Sequence, residues 1–234
     1  MKIALLGYGK MGQIIERIAL ERGHTIVLKK GSKNSFDGIK NADVAIDFSL
    51  PSVALENITT SIENKVPTIS GTTGWLNDYN KVTSLCTEKK GAFLYASNFS
   101  LGVNLFFELN TQLAKLMAPY QEYKTEIEEI HHTQKLDAPS GTAITLAEQV
   151  IKETHYNNWK LNENNLTDLP IFAKRIENVP GTHSIKYNSS VDEIEIKHTA
   201  HNREGFALGA VIAAEWIANK EGVFTMKDVL KNNT

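Results

Sequence analysis

The densest run of reactive side chains in this sequence is His131-His132-Thr133-Gln134-Lys135-Leu136-Asp137-Ala138-Pro139-Ser140-Gly141-Thr142. Imidazole titrates near neutral pH, so a histidine here can deliver or accept a proton at small cost. The Lys135 ammonium can hold a carboxylate or neutralise charge that develops on nitrogen. Ser140-Gly141-Thr142 then precedes Ile144, Leu146, Ala147 and Val150, apolar residues at helical spacing. That pattern marks a helix start, where hydroxyls and free N–H groups form an anion site. Two histidines alone are more often structural, and Asp137 to Ser140 alone would be a turn and a cap. Cation, proton donor and anion pocket together suit a small carboxylate substrate.

A second motif lies near the start of the chain. Gly7-Tyr8-Gly9-Lys10-Met11-Gly12 follows the short apolar run Ile3 to Leu6 and opens a segment with Ile14, Ile15, Ile18 and Ala19 at helical spacing. In G-x-G-x-x-G the first glycine permits a tight turn, the second lets the backbone approach a pyrophosphate, and the third lets helix and strand pack closely. Without its context the pattern is only a glycine turn. The order strand, turn, helix points to a dinucleotide. After the second strand-like segment come Lys29 and Lys30, with no acid adjacent in sequence. Acidic residues there usually hold the ribose hydroxyls of NAD, whereas a 2′-phosphate calls for a cation. The lysines favour NADPH, with NADH the alternative.

The elements that must position these groups follow from the hydrophobic pattern. Ile3–Leu6, Thr25–Leu28, Val44–Phe48, Thr68–Ser70 and Phe93–Ala96 read as strands, with helices near 52–63 and 77–89 between them. Alternating strand and helix implies an α/β fold, a doubly wound parallel sheet of Rossmann type. From about residue 100 the character changes to α+β. Val103–Met117 reads as an amphipathic helix, Tyr123–His131 alternates like a strand, and Ser184–Tyr187 with Glu193–His198 suggests an antiparallel hairpin. Residues 156–170 read as a polar surface excursion. The expected organisation is a dinucleotide-binding domain over 1–99, a substrate-binding domain with a mixed or antiparallel sheet over 100–206, and a C-terminal helix from Ala207 that brings 207–234 back to the first domain.

Composition bounds the rest. With 41% hydrophobic and 22% charged residues and a net charge of −2, the chain is an ordinary globular protein without the basic excess of a nucleic-acid binder. No apolar run is long enough to span a bilayer. The N-terminal strand-like segment has no cleavage site, so no signal peptide is expected. The single cysteine, Cys86, forms no internal disulfide. The expected location is cytoplasmic, with no membrane and no nucleic-acid partner. Nor do the histidines show acidic or thiolate co-ligands at metal spacing, so no metal is expected.

These residues resemble one family, the 4-hydroxy-tetrahydrodipicolinate (dihydrodipicolinate) reductases. The resemblance runs from Lys2 to about Ala214. It covers the glycine turn, Asp47-Phe48-Ser49, Gly71-Thr72-Thr73-Gly74, Ala96-Ser97-Asn98-Phe99-Ser100, the whole of His131 to Thr142, and His198-Thr199-Ala200-His201-Asn202-Arg203. It implies that Gly71, Thr72 and Thr73, with Ala96, Ser97, Asn98 and Phe99, line the nicotinamide end of the cofactor. It makes His131 the general acid or base and Lys135 the catalytic cation and proton donor. His132, Lys135, Ser140, Gly141 and Thr142 would hold the substrate carboxylates, in a homotetramer. The glycine turn is one residue shorter than in many members, and Lys29 and Lys30 stand where acidic or mixed residues are common. Another NAD(P)-dependent imino- or amino-acid dehydrogenase would have no need of the Lys135 to Thr142 string, and a non-catalytic nucleotide sensor none of His131 with Lys135.

Overall fold

A computed structural model describes residues 1–31, 35–202 and 204–231, so Ser32, Lys33 and Arg203 lie outside the described residues. The chain divides into two units, Met1–Leu101 with the segment from Glu204 onward, and Gly102–Arg203.

The first unit begins with β1 (Lys2–Leu6), α1 (Lys10–Glu21), β2 (Thr25–Lys30), β3 (Val44–Asp47), α2 (Pro51–Glu63), β4 (Thr68–Ser70), α3 (Tyr79–Glu88) and β5 (Ala92–Tyr95). Strand side chains alternate between faces, and here both faces are covered, which is why β1 is a continuous apolar run. Ile3 and Leu5 enter one core with Ile15 and Ile18 of α1, while Ala4 and Leu6 enter another with Ile39, Ala45 and Val66. On the face opposite α1, Ala54, Ile58 and Ile62 of α2 pack with Val82 and Cys86 of α3 around Phe93.

The second unit comprises α4 (Leu101–Met117), β6 (Lys124–His131), α5 (Gly141–Glu153), β7 (Asn158–Leu161), β8 (Asp168–Arg175), β9 (Gly181–Asn188) and β10 (Glu193–Ala200). Its mixed sheet has the order β10-β9-β6-β8-β7. β6 pairs antiparallel with β9, placing Glu129 opposite His183, and parallel with β8, placing His131 opposite Arg175. Phe106 of α4 and Leu146 and Val150 of α5 close over Ile127, Ile171 and Ile185.

The chain then returns to the first unit through α6 (Glu204–Ile217), β11 (Gly222–Phe224) and α7 (Met226–Lys231). Ala207, Ala210, Val211, Ala213, Ala214 and Ile217 of α6 pack on the same side as α1, and β11 adds a strand beside β5. The sheet is parallel throughout, in the order β11-β5-β4-β3-β1-β2. This is the doubly wound parallel sheet and the second, mixed sheet that the sequence pattern implies.

One stretch differs. Residues 156–170, read as a surface excursion, hold β7 and the start of β8. Pro170 and the surrounding asparagines mask the strand signal. Yet Pro170 sits opposite Lys160 of the edge strand, and pairing with β6 begins only at Ile171, so its missing N–H breaks no interior ladder.

Candidate active site

The alternation of β6 turns Thr125, Ile127, Glu129 and His131 to the buried side. Glu129 is completely buried, and it gathers the surrounding chemistry. Its Oε2 accepts the Ser140 N–H at 3.0 Å and lies 3.3 Å from Nδ1 of His131 and 3.7 Å from Nε2 of His183. The His131 contact is close but not aligned as a hydrogen bond, and Nδ1 is buried without one. Oε1 faces Nη2 of Arg175 at 3.1 Å. Ser140 is also the N-cap of α5. Its Oγ accepts from the Ala143 N–H at 3.2 Å and lies 3.1 Å from Nε2 of His183, whose ring stands edge-on to His131.

The electrostatics follow from this packing. Burial pushes the Glu129 carboxyl up, but the His131 ring and the side chain and N–H of Ser140 outweigh it and bring it down to about 2. Burial, then the charge of His131, push His183 down to about 3 against the pull of Glu129, so His183 is neutral near pH 7. The loop after β6 carries Lys135, whose Nζ holds Asp137 at 2.7 and 2.8 Å and keeps that carboxyl below the usual range. The loop reaches α5 through a cis Ala138–Pro139 bond. An added Cβ at Gly141 would meet nothing within 4 Å, so the first turn of α5 is open to an approaching anion. Thr142 is half-buried there. His132 lines an open pocket of about 520 Å³ with Thr133, Gln134 and residues 177–180.

In the first unit, Gly7 has φ +103°, and a Cβ there would lie 2.1 Å from the Phe48 carbonyl oxygen. A Cβ at Gly12 would lie 2.3 Å from the Gly7 oxygen, the close helix–strand approach that requires the third glycine. An added Cβ at Gly9 would meet nothing within 4 Å. No side chain caps α1 and its first turn carries no acid, leaving room for a phosphate over Gly9, Lys10 and Met11. Tyr8 and Lys29 both meet Glu16: Nζ of Lys29 is 2.5 Å from Glu16 Oε1, and the Tyr8 hydroxyl donates to Oε2. Lys30 stands over the Phe36 ring at 4.5 Å.

The loops after β3 and β4 are tied by Asp47. Its buried carboxylate accepts from Ser49, Asn57, Ser70 and Thr72 at 2.6 to 2.9 Å. Burial raises its pKa, and these four donors oppose the rise. Thr72 thus turns its hydroxyl inward, and Thr73 is exposed. After β5, Ala96 and Ser97 are accessible and Asn98 accepts the Ser100 N–H, whereas the Phe99 ring is core, 5.6 Å from Phe48. Phe99 can offer a ligand little beyond its backbone.

The structure therefore brings His131, Ser140 and the Lys135 loop into one network. Sequence reasoning missed Glu129, Arg175 and His183, and gave Asp47, part of a motif that carries the resemblance, no role of its own. Glu129 had a signal, since it falls on the apolar phase of an alternating strand. It also supplies the acid that the histidines lacked in sequence: ligand atoms of Glu129, His131 and His183 lie within 4.8 Å of one another. Arg175 and the Ser140 N–H already engage that carboxylate.

Comparison with known proteins finds relatives along the whole chain. Family models described as Dihydrodipicolinate reductase, N-terminus and C-terminus, match residues 1–99 and 102–230. The 4-hydroxy-tetrahydrodipicolinate reductase of Christiangramia forsetii is 55% identical over 240 aligned positions, covering 99% of this chain and 98% of that protein. That of Buchnera aphidicola is 37% identical, covering 86% and 74%. The fold matches a dipicolinate-bound dihydrodipicolinate reductase from a Paenisporosarcina species with a TM-score of 0.75 at 22% identity, covering 96% of this chain and 97% of that one.

Proposed function

This chain belongs to the dihydrodipicolinate reductase family, and from that membership we propose how its residues reduce 4-hydroxy-tetrahydrodipicolinate to tetrahydrodipicolinate in lysine and diaminopimelate biosynthesis. The observation that carries the reading is the buried Glu129 carboxylate, which ties His131 and the start of α5 together and, through Arg175, the Lys135 loop.

The net change replaces a hydroxyl by hydrogen: one hydride and one proton enter and one water leaves. A bound reduced nicotinamide supplies the hydride, and the protein supplies orientation and charge. The turn Gly7, Tyr8, Gly9, Lys10, Met11 and Gly12 holds the pyrophosphate. Gly71, Thr72 and Thr73, with Ala96, Ser97, Asn98 and the Phe99 backbone, line the nicotinamide end. His132, Ser140, Gly141 and Thr142 bind the substrate carboxylates at the open first turn of α5. Lys135 holds a carboxylate in competition with Asp137, and it or His131 provides the proton. No step calls for a metal.

NADPH is the favoured cofactor on the strength of Lys29 and Lys30, although Glu16 already holds Lys29. A cytoplasmic homotetramer completes the proposal, the tetramer supported by the exposed edge strand β10. The test is oxidation of NADPH and of NADH in the presence of freshly generated 4-hydroxy-tetrahydrodipicolinate. Consumption of neither would overturn the assignment.

A further inference from the structure

Nothing in the comparisons assigns a role to Glu129 or Arg175, yet both meet the segments that carry His131 and Lys135. The parallel register pairs His131 with Arg175 and Glu129 with Ala173, so the pleat sets Arg175 on the same face as the two β6 residues. Arg175 donates from Nη1 to the Lys174 carbonyl on its own strand at 2.8 Å and directs two further bonds at the loop. Nη2 gives a bond to the Asp137 carbonyl at 2.7 Å and Nε one to the Lys135 carbonyl at 3.3 Å. Glu129, on its other oxygen, meets His131 and the Ser140 N–H.

A buried ion pair is a weak device for stability, because desolvation cancels much of its attraction. What this pair does is geometric. We propose that Glu129 and Arg175 are positioning residues, the carboxylate orienting the His131 ring and the mouth of α5 while the guanidinium fixes the backbone that carries Lys135. The inference rests on the catalytic reading of His131 and Lys135.

Glutamine at position 129 tests it sharply. Arg175 needs an acceptor, so it takes the single amide oxygen, and an NH₂ group is then turned towards His131 and the Ser140 N–H. Misplacement of a reacting group by about 1 Å can cost 100-fold. The expected result for E129Q is a kcat lower by about 10- to 100-fold. The KM for NADPH should stay within about twofold of wild type, because Glu129 lies in the other unit from the glycine turn.

The deciding measurement is a double-mutant cycle. In an H131A background E129Q should lower kcat no further, its effect through the mouth of α5 falling on the KM for the substrate, and in a K135A background R175M should lower kcat no further. A merely structural pair would lower kcat equally in both backgrounds, and that result would overturn the inference. H131A and K135A variants with near-wild-type turnover would instead overturn the catalytic reading beneath it. If E129Q unfolds at the assay temperature, E129D and R175K replace the two variants in the same cycles. The first keeps the charge without the reach, the second the charge without the fork, and the same non-additivity is expected.

Discussion

Nζ of Lys29, at the end of β2, lies 2.5 Å from Oε1 of Glu16 on α1, so the cation proposed to meet a 2′-phosphate is already held by an acid. That contact raises the pKa of Lys29 and lowers that of Glu16. An exposed phosphate–ammonium contact changes affinity severalfold at most. Wild type should prefer NADPH modestly, and E16Q, by releasing Lys29, should widen the preference by a further factor of about 3 to 5. The double variant K29A/K30A should abolish it. The ratio of kcat/KM for NADPH and NADH, measured at low and high salt, decides the matter. A ratio indifferent to all three substitutions would reduce these lysines to solvated surface charge.

Turnover should depend on both of the groups proposed to transfer the proton. H131A and K135A are each expected to lower kcat by at least about 100-fold, the usual contribution of a positioned acid or base. Cofactor affinity, followed by quenching of protein fluorescence on titration with NADPH, should not change. Near-normal kcat in both variants would remove them from the mechanism.

Much of this was legible in the sequence, and the remainder was hidden for identifiable reasons. The glycine turn and the α5 start depend on residues adjacent in the chain, so their types and spacing announce them. Glu16 was invisible as a partner of Lys29 because α1 and β2 meet only after the turn at Gly23 brings the chain back. Arg175 pairs with Glu129 across 46 residues and through a strand whose Pro170 argues against a strand. β11 and α7 are too short, at 3 and 6 residues, to show a period. Phe99 belonged to a legible motif, but burial of its ring could not be read from neighbours in sequence.

Planar aromatic dicarboxylates such as pyridine-2,6-dicarboxylate should inhibit competitively with substrate. One carboxylate should sit at the open first turn of α5, where free N–H groups and the helix dipole favour an anion and Gly141 leaves space. T142V removes one hydroxyl donor and should raise the inhibition constant by about tenfold, the value of a hydrogen bond to a charged group. The absence of inhibition at millimolar concentration would displace the carboxylate pocket from α5.

The acid side of the stability curve should carry the mark of His183. Its pKa is about 3 in the folded chain against an ordinary 6.5, so the unfolded chain takes up the proton first. Lowering the pH from about 6.5 towards 3 therefore favours unfolding, by at most about 1.4 kcal/mol per pH unit for one proton. Glu129 acts in the same direction but lower. Its folded value of about 2 against 4.5 gives stability that is complete above 4.5 and lost as the pH falls through 2. Between pH 6.5 and 5 His183 acts without Glu129, and there H183Q should flatten the fall in thermal midpoint relative to wild type. About 2 kcal/mol over that interval corresponds to a difference of roughly 4–8 °C for a chain of this size. E129Q should leave the slope over the same interval unchanged, because its carboxylate is ionised in both states there. Thermal midpoints at pH 7, 6 and 5 for the three proteins provide the check. Parallel curves for wild type and H183Q would mean that His183 takes up its proton in the folded chain as readily as in the unfolded one.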